Sequence, residues 1–187
     1  MRLIRRGASH VQANYADRMQ VRRANLEDAD AIAAVHVRSW EAAYRGLVPQ
    51  AWFAERTLQR RTAMWRELLR RGENTRVFVA CLNGTLVGFC GAATPSRDED
   101  AGEGTSEIAA LYVDPGHWRA GAGRALITAT LRDLAACLWR DVTLWVLEAN
   151  DRARSFYAGV GFEPDGGRIE KPDEPPEVCL RRQLLVE

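Results

Sequence analysis

The sequence predicts an α/β chain of the α+β kind: one mixed, twisted sheet of about seven strands with helices on both faces. Three features carry that expectation. Val77–Leu82 and Leu86–Cys90 are apolar, strand-like runs joined by Asn83-Gly84, a pair that tolerates the positive φ of a tight hairpin turn. A strand, helix, strand order follows over Glu107–Val113, Ala122–Cys137 and Val142–Leu147, and a crossover helix lets its flanking strands lie parallel. Ahead of both, apolar residues recur at helical spacing over two long stretches.

In chain order, Gln20–Ala24 is a short strand, and Asn25 then has the side chain of a helix cap with Asp28 in the first turn. From Leu26 to Tyr44 the apolar positions Ile32, Val35, Val37, Trp40 and Tyr44 follow a helix, which Gly46 and Pro49 end. A second helical region runs from about Gln50 to Arg71. Beyond the hairpin, Thr94–Ser106 is rich in Gly, Ser and acid and is expected as an exposed loop. After the strand–helix–strand unit come a helix over Asp151–Val160, a strand opened by Phe162, a proline-rich loop over Glu170–Glu177 and a last strand near Val178–Leu184. Neither an internal repeat nor a long linker divides the chain, so residues 20–187 are expected as one domain. Residues 1–19 are expected as a disordered tail, with a transit peptide as the alternative because they are basic.

Composition bounds the function. The 187 residues are 47% hydrophobic and 27% charged, which suits a globular chain. Lys plus Arg number 26 against 25 Asp plus Glu, so nothing electrostatic points to nucleic acid or a membrane surface. There is no apolar run near the roughly 20 residues of a membrane span, and the start lacks a secretory signal's apolar stretch. Cys81, Cys90, Cys137 and Cys179 form no Cys-x-x-Cys pair and have no His at ligand spacing. A reduced, cytoplasmic interior without a metal site is the expectation. His36 and His117 stand alone and read as structural or solvated.

The chemistry lies in two segments. In Leu111-Tyr-Val-Asp-Pro-Gly-His-Trp-Arg-Ala-Gly-Ala-Gly-Arg-Ala-Leu126 a strand ends at Val113, and Gly121 and Gly123 stand where a helix begins. A helix start offers unpaired N–H groups and a positive dipole end, and glycine lets backbone approach a ligand, so the turn suits a phosphate or pyrophosphate. A tight strand-to-helix turn without a ligand explains the same glycines. The segment lacks the G-x-x-x-x-G-K-[ST] loop and the third glycine of a dinucleotide fingerprint. Downstream stands Glu148-Ala-Asn-Asp-Arg-Ala-Arg-Ser-Phe-Tyr-Ala-Gly-Val-Gly-Phe162.

Together the two segments resemble the GNAT family of acyl-CoA-dependent N-acyltransferases. The family pattern V-x-P-x-x-[QR]-x-x-G-x-G is met at Val113, Pro115, Gly121 and Gly123, with Trp118 in place of the usual Gln or Arg. The pattern N-x-x-A-x-x-F-Y-x-x-x-G-F is met at each fixed position from Asn150 to Phe162, and Val21–Pro49 is similar to the opening of bacterial members. The resemblance implies a single GNAT domain with acetyl-CoA in a cleft between splayed parallel strands, Glu107–Val113 and Val142–Leu147. It implies that Leu111, Tyr112 and Val113 meet the pantetheine and that Arg119, Ala120, Gly121, Ala122, Gly123 and Arg124 meet the pyrophosphate. Asn150 is a further implied contact that also reads as a helix cap, and Arg152 is placed to reach a ribose phosphate. Arg124 also reads as a solvated surface arginine.

The implied activity is transfer of acetyl from acetyl-CoA to a primary amine by direct attack through a tetrahedral intermediate. An alkyl ammonium, with a reference pKa of about 10.4, must first lose a proton. Glu107 is the candidate base, or else a solvated strand-edge carboxylate. Tyr157 is the candidate acid for the departing thiolate, or else packing beside Phe156. Trp40 and Tyr44, four apart on one helix, line the acceptor pocket or form core. Two rivals stay open, a non-catalytic acyl-CoA sensor and a transferase of longer acyl chains. The expected partners are a small-molecule or peptide amine acceptor, with no nucleic acid and no membrane, and a homodimer stays open.

Overall fold

A computed structural model describes residues 19–72 and 75–184. Residues 1–18, the body of the expected tail, lie outside the described residues, whereas Met19 already belongs to β1. The chain runs β1 (Met19–Arg23), α1 (Ala29–Tyr44), α2 (Ala51–Glu55), α3 (Leu58–Arg71), β2 (Thr75–Leu82), β3 (Thr85–Ala93) and β4 (Thr105–Val113). It continues through α4 (Ala122–Ala136), β5 (Asp141–Leu147), α5 (Asp151–Ala158), β6 (Glu163–Ile169) and β7 (Glu177–Gln183).

The seven strands form one sheet in the order β1-β2-β3-β4-β5-β7-β6, antiparallel except where β4 meets β5. The expected mixed, helix-covered sheet is present. The hairpin turn is also as read, with Asn83 at φ 51° and Gly84 at φ 80°. Alternation along β2 splits the core into two layers. Phe78 and Ala80 pack with Leu126, Ile127 and Leu134 of α4, while Val77 and Val79 pack with Ile32 and Val35 of α1 and Trp65 of α3.

Besides small shifts at element ends, three differences from the sequence reading bear on the site. A 3-10 turn over Leu26–Asp28 precedes α1; the Glu27 N–H donates to Asn25 Oδ1 and the Asn25 N–H to Asp28. The second helical region is two helices, because Thr57 is extended and its hydroxyl accepts from the Arg60 N–H, starting α3 anew. The loop before β4 is partly buried, and β4 begins at Thr105 rather than Glu107. Thr105 donates to the Ala101 carbonyl and Ser106 to that of Asp141, so both polar side chains are satisfied inside the sheet.

Candidate active site

β4 and β5 are paired only at their starts, Thr105–Glu107 against Asp141–Thr143. Beyond that, β4 stays with β3 as far as Val113 and β5 with β7 as far as Leu147, so the two strands separate into a V. Hydroxyls clasp its vertex: Ser106 Oγ donates to the Asp141 carbonyl at 3.2 Å and Thr143 Oγ1 to the Ser106 carbonyl at 3.3 Å. Glu107 is the last paired residue of β4, at that vertex.

Main-chain groups of β4 line one arm of the V. The Asp114 N–H donates to the Val87 carbonyl at 2.8 Å, toward β3. Strand alternation therefore turns the groups of Tyr112 toward β3 and those of Leu111 and Val113 into the V. The Val113 carbonyl is already taken, by Trp118 Nε1 at 2.7 Å and Ser39 Oγ at 2.9 Å. What Val113 offers the cleft is its N–H. The Leu111 and Val113 side chains pack toward α4, and the Tyr112 ring packs on the opposite face against α1.

The start of α4 has no side-chain cap. Gly121 occupies the cap position at φ 91°, and the Ala125 N–H donates to its carbonyl at 3.0 Å. The N–H groups of Ala122, Gly123 and Arg124 therefore have no acceptor within the helix. A Cβ on Gly121 would meet nothing within 4 Å. Open space, free donors and a positive dipole end together suit an anion. Arg119, at φ 62°, is also left-handed, and Ala120 leads into the turn. Gly123 has a different cause: a Cβ there would stand 3.3 Å from the Phe156 ring, so it is the close approach of α5 that excludes a side chain.

Two cationic side chains near the turn contact protein. Arg124 is exposed, as its surface reading expects, and donates to the Gly159 carbonyl at 3.2 Å. The Arg152 guanidinium lies 3.7 Å over the Trp118 ring. Asn150 is buried and caps α5, its Oδ1 accepting from the Ala153 N–H at 3.1 Å.

Glu107 is only 4% exposed, which corrects the alternative of a solvated edge carboxylate. One oxygen accepts from the Arg97 backbone N–H at 3.0 Å and Nε at 3.1 Å; Nη2 of the same guanidinium reaches the other. That bond holds the Arg97 guanidinium above its ordinary pKa. Tyr157 packs edge-on against Phe156 and Phe162 at 5.4 and 5.7 Å. Burial, then nearby Cys90 and Tyr44, push its phenol well above the ordinary range, so it is protonated at neutral pH. Burial likewise pushes the Cys90 thiol up to about 12, which removes it as a nucleophile.

On the α1 face, Trp40 packs against Tyr44 at 4.9 Å with the rings tilted by 31°, and meets Phe53 edge-on at 4.9 Å. Trp40 is core, while the Tyr44 hydroxyl lies 3.5 Å from that of Tyr112. His36 is structural: it stacks on Tyr112 at 4.7 Å, and its Nδ1 accepts from Trp65 Nε1 at 3.1 Å. Burial first, then the charges of Arg61 and Arg56, lower its pKa to about 3. The structure adds Arg97 and Ser39, for which the sequence held no signal, because each reaches its partner across the fold.

The splayed sheet and uncapped helix start coincide with a match to the Acetyltransferase (GNAT) family over residues 35–162. The chain belongs to the GNAT acetyltransferase family. An uncharacterised N-acetyltransferase of Bacillus subtilis, YuaI, is 33% identical over 131 residues, 70% of this chain and 72% of that protein. Another from Archaeoglobus fulgidus is 32% identical over 150 residues, 80% of this chain and 97% of its own length. Among solved structures, the PaiA N-acetyltransferase of Thermoplasma acidophilum, in complex with coenzyme A, superposes with a TM-score of 0.72. At 16% identity, over 88% of this chain and 98% of that one, it shows that the GNAT fold is shared.

Proposed function

We propose that this GNAT chain moves the acetyl group of acetyl-CoA onto a primary amine by direct attack. The observation that carries the reading is the uncapped start of α4, open beside Gly121, at the end of the strand that leaves β5. The N–H groups of Ala122, Gly123 and Arg124 would hold the diphosphate, while the main chain of Leu111 and the Val113 N–H would hold the pantetheine. Arg119 adds charge at the same turn, Arg152 over Trp118 offers a cation for the ribose phosphate, and the Asn150 amide completes the set. The bound cofactor supplies the acyl group as a thioester.

The rest is proton handling. Tyr157 holds a proton for the departing sulfur, whose conjugate acid has a reference pKa of about 8.5 and needs only modest help. Glu107 draws a proton from the amine through water, because the Arg97 fork already occupies its oxygens. The acceptor enters past Tyr44, with Trp40 as the packed wall behind it. With Cys90 protonated, no acyl-enzyme forms there.

Two measurements test the reading. A ligand bound only by the native state at a hundred times its Kd adds about 2.7 kcal/mol, so acetyl-CoA should raise the melting temperature. Thiol release should then appear with at least one member of an amine library. Absence of a thermal shift with acetyl-CoA or CoA overturns the cofactor assignment and the transfer with it.

A further inference from the structure

Beside the aromatic wall stand two arginines that no carboxylate answers among the described residues. The Arg56 guanidinium lies 4.1 Å over the Trp40 ring and 5.3 Å over that of Trp52, and its Nη1 donates to the Trp52 carbonyl at 2.8 Å. Its Nε is buried and has no hydrogen-bond partner among the described residues. Arg61, half-buried on α3, donates to the Met64 thioether at 3.4 Å, a weak acceptor for a cation. Arg56 and Arg61, with Arg60, Glu55 and Met64, line a cavity of about 300 Å³. Glu55 is exposed and pairs with neither arginine among the described residues.

Elsewhere most arginines near the core meet an acceptor of their own: half-buried Arg76 has Asp133, the more exposed Arg22 and Arg97 have Asp28 and Glu107, and half-buried Arg182 has the Val160 carbonyl. Taking a guanidinium out of water without a counter-charge is costly, so an unanswered pair marks a place for an anion. Trp40 connects them to the candidate site: Arg56 lies over its ring, which packs at 4.9 Å against Tyr44, whose hydroxyl lies 3.5 Å from that of Tyr112. Burial lifts the Tyr44 and Tyr112 phenols, and Arg56 and Arg61 respectively pull them part-way back. Tyr44 in turn acts on Tyr157, the proposed proton donor.

We propose that Arg56 and Arg61 bind a carboxylate carried by the acceptor, so that the acceptor is a small amino-acid-like molecule bearing both a primary amine and a carboxylate. This inference rests on the acetyl-transfer reading above. The guanidinium fork matches a carboxylate in bidentate geometry, and the indoles beneath Arg56 fix its plane and thin the surrounding water. A cavity of about 300 Å³ suits a small molecule, and a polyamine would meet like charge there.

The test uses the full chain with acetyl-CoA, reading thiol release across α-, β- and γ-amino acids and their primary amides, which keep the amine and lose the carboxylate. The expected result is kcat/KM at least about ten-fold higher for an acid than for its amide, as for loss of a charge-assisted hydrogen bond. In Arg61→Gln that ratio should collapse through the acceptor KM, with the KM for acetyl-CoA held. Arg61 is the residue to change because its protein contact is the thioether, whereas Arg56 also packs Trp40. Equal use of acid and amide, or a ratio that survives Arg61→Gln, overturns the proposal. So does turnover confined to amines without a carboxylate, and so does acetyl-CoA binding with no amino acid acetylated; both leave the cofactor reading standing. Failure to bind acetyl-CoA at all removes the transfer reading instead, and this proposal falls with it.

Discussion

Arg97 grips both oxygens of the buried Glu107 carboxylate from the loop that precedes β4, contributing its backbone N–H as well as its guanidinium. Glu107 sits where β4 parts from β5, so the grip fixes a buried carboxylate at the vertex of the cleft. On the proposed mechanism that carboxylate works through water. Glu107→Gln keeps the shape and removes the charge, and kcat should fall by about 10–10⁴-fold, near the usual range for a positioned proton-transfer group. The Kd for acetyl-CoA should hold. Full activity in a folded Glu107→Gln protein would leave Glu107 as an anchor for Arg97.

Tyr157→Phe separates chemistry from packing in the same way. The ring keeps its contacts with Phe156 and Phe162, and only the hydroxyl is lost. The fold should survive, because the ring packing is kept, whereas kcat should drop about 10–10⁴-fold if the phenol donates to the leaving sulfur. Unchanged kcat in a folded Tyr157→Phe protein would return the residue to the core.

The two glycines of the turn should respond differently, contrary to a reading of both as ligand-approach residues. Gly121→Ala places a Cβ in open space but at φ 91°, which costs about 1–2 kcal/mol of backbone strain. It should weaken acetyl-CoA binding by distorting the uncapped donors. Gly123→Ala drives a Cβ toward the Phe156 ring at 3.3 Å, so its loss should appear in the melt of the ligand-free protein. Calorimetric titration alongside thermal melts separates the two. Equal effects from both variants on both readouts would contradict the distinction.

The sequence made local features legible and cross-fold ones invisible. Asn83-Gly84 and the alternation of Val77, Phe78, Val79 and Ala80 state their roles within a few residues, and both appear as read. The break at Thr57 has no Gly or Pro to announce it and depends on one hydroxyl reaching the Arg60 N–H. Thr105 and Ser106 look like loop because polar side chains usually mark the surface, yet here they clasp a buried joint. In the candidate site, the glycine turn and Asn150 were visible as patterns. The partners of Glu107, Arg124 and Arg152 were not, since each is a contact between elements whose meeting only the sheet order determines.

His36 gives the last prediction, a dependence of stability on pH. Its native pKa is lowered to about 3, first by burial and then by Arg61 and Arg56, against an unfolded value near 6.5. A depressed pKa means that the native state binds fewer protons than the unfolded chain. The neutral imidazole's contribution is therefore fully present above about pH 6.5 and is lost as pH falls toward the native value. The slope should approach about 1.4 kcal/mol per pH unit between roughly pH 6 and pH 4.5. Carboxylates such as Asp28, which its bond to Arg22 holds below the ordinary range, add their losses only at lower pH, while Glu177, raised by burial, contributes the opposite slope, so the difference between the native sequence and a variant is what isolates the histidine. His36→Gln keeps an acceptor for Trp65 Nε1 and removes the titration. Denaturant melts of both proteins across that window should show the slope in the native sequence and a flatter line in the variant. Parallel slopes would mean that His36 is not held neutral between Trp65 and Tyr112.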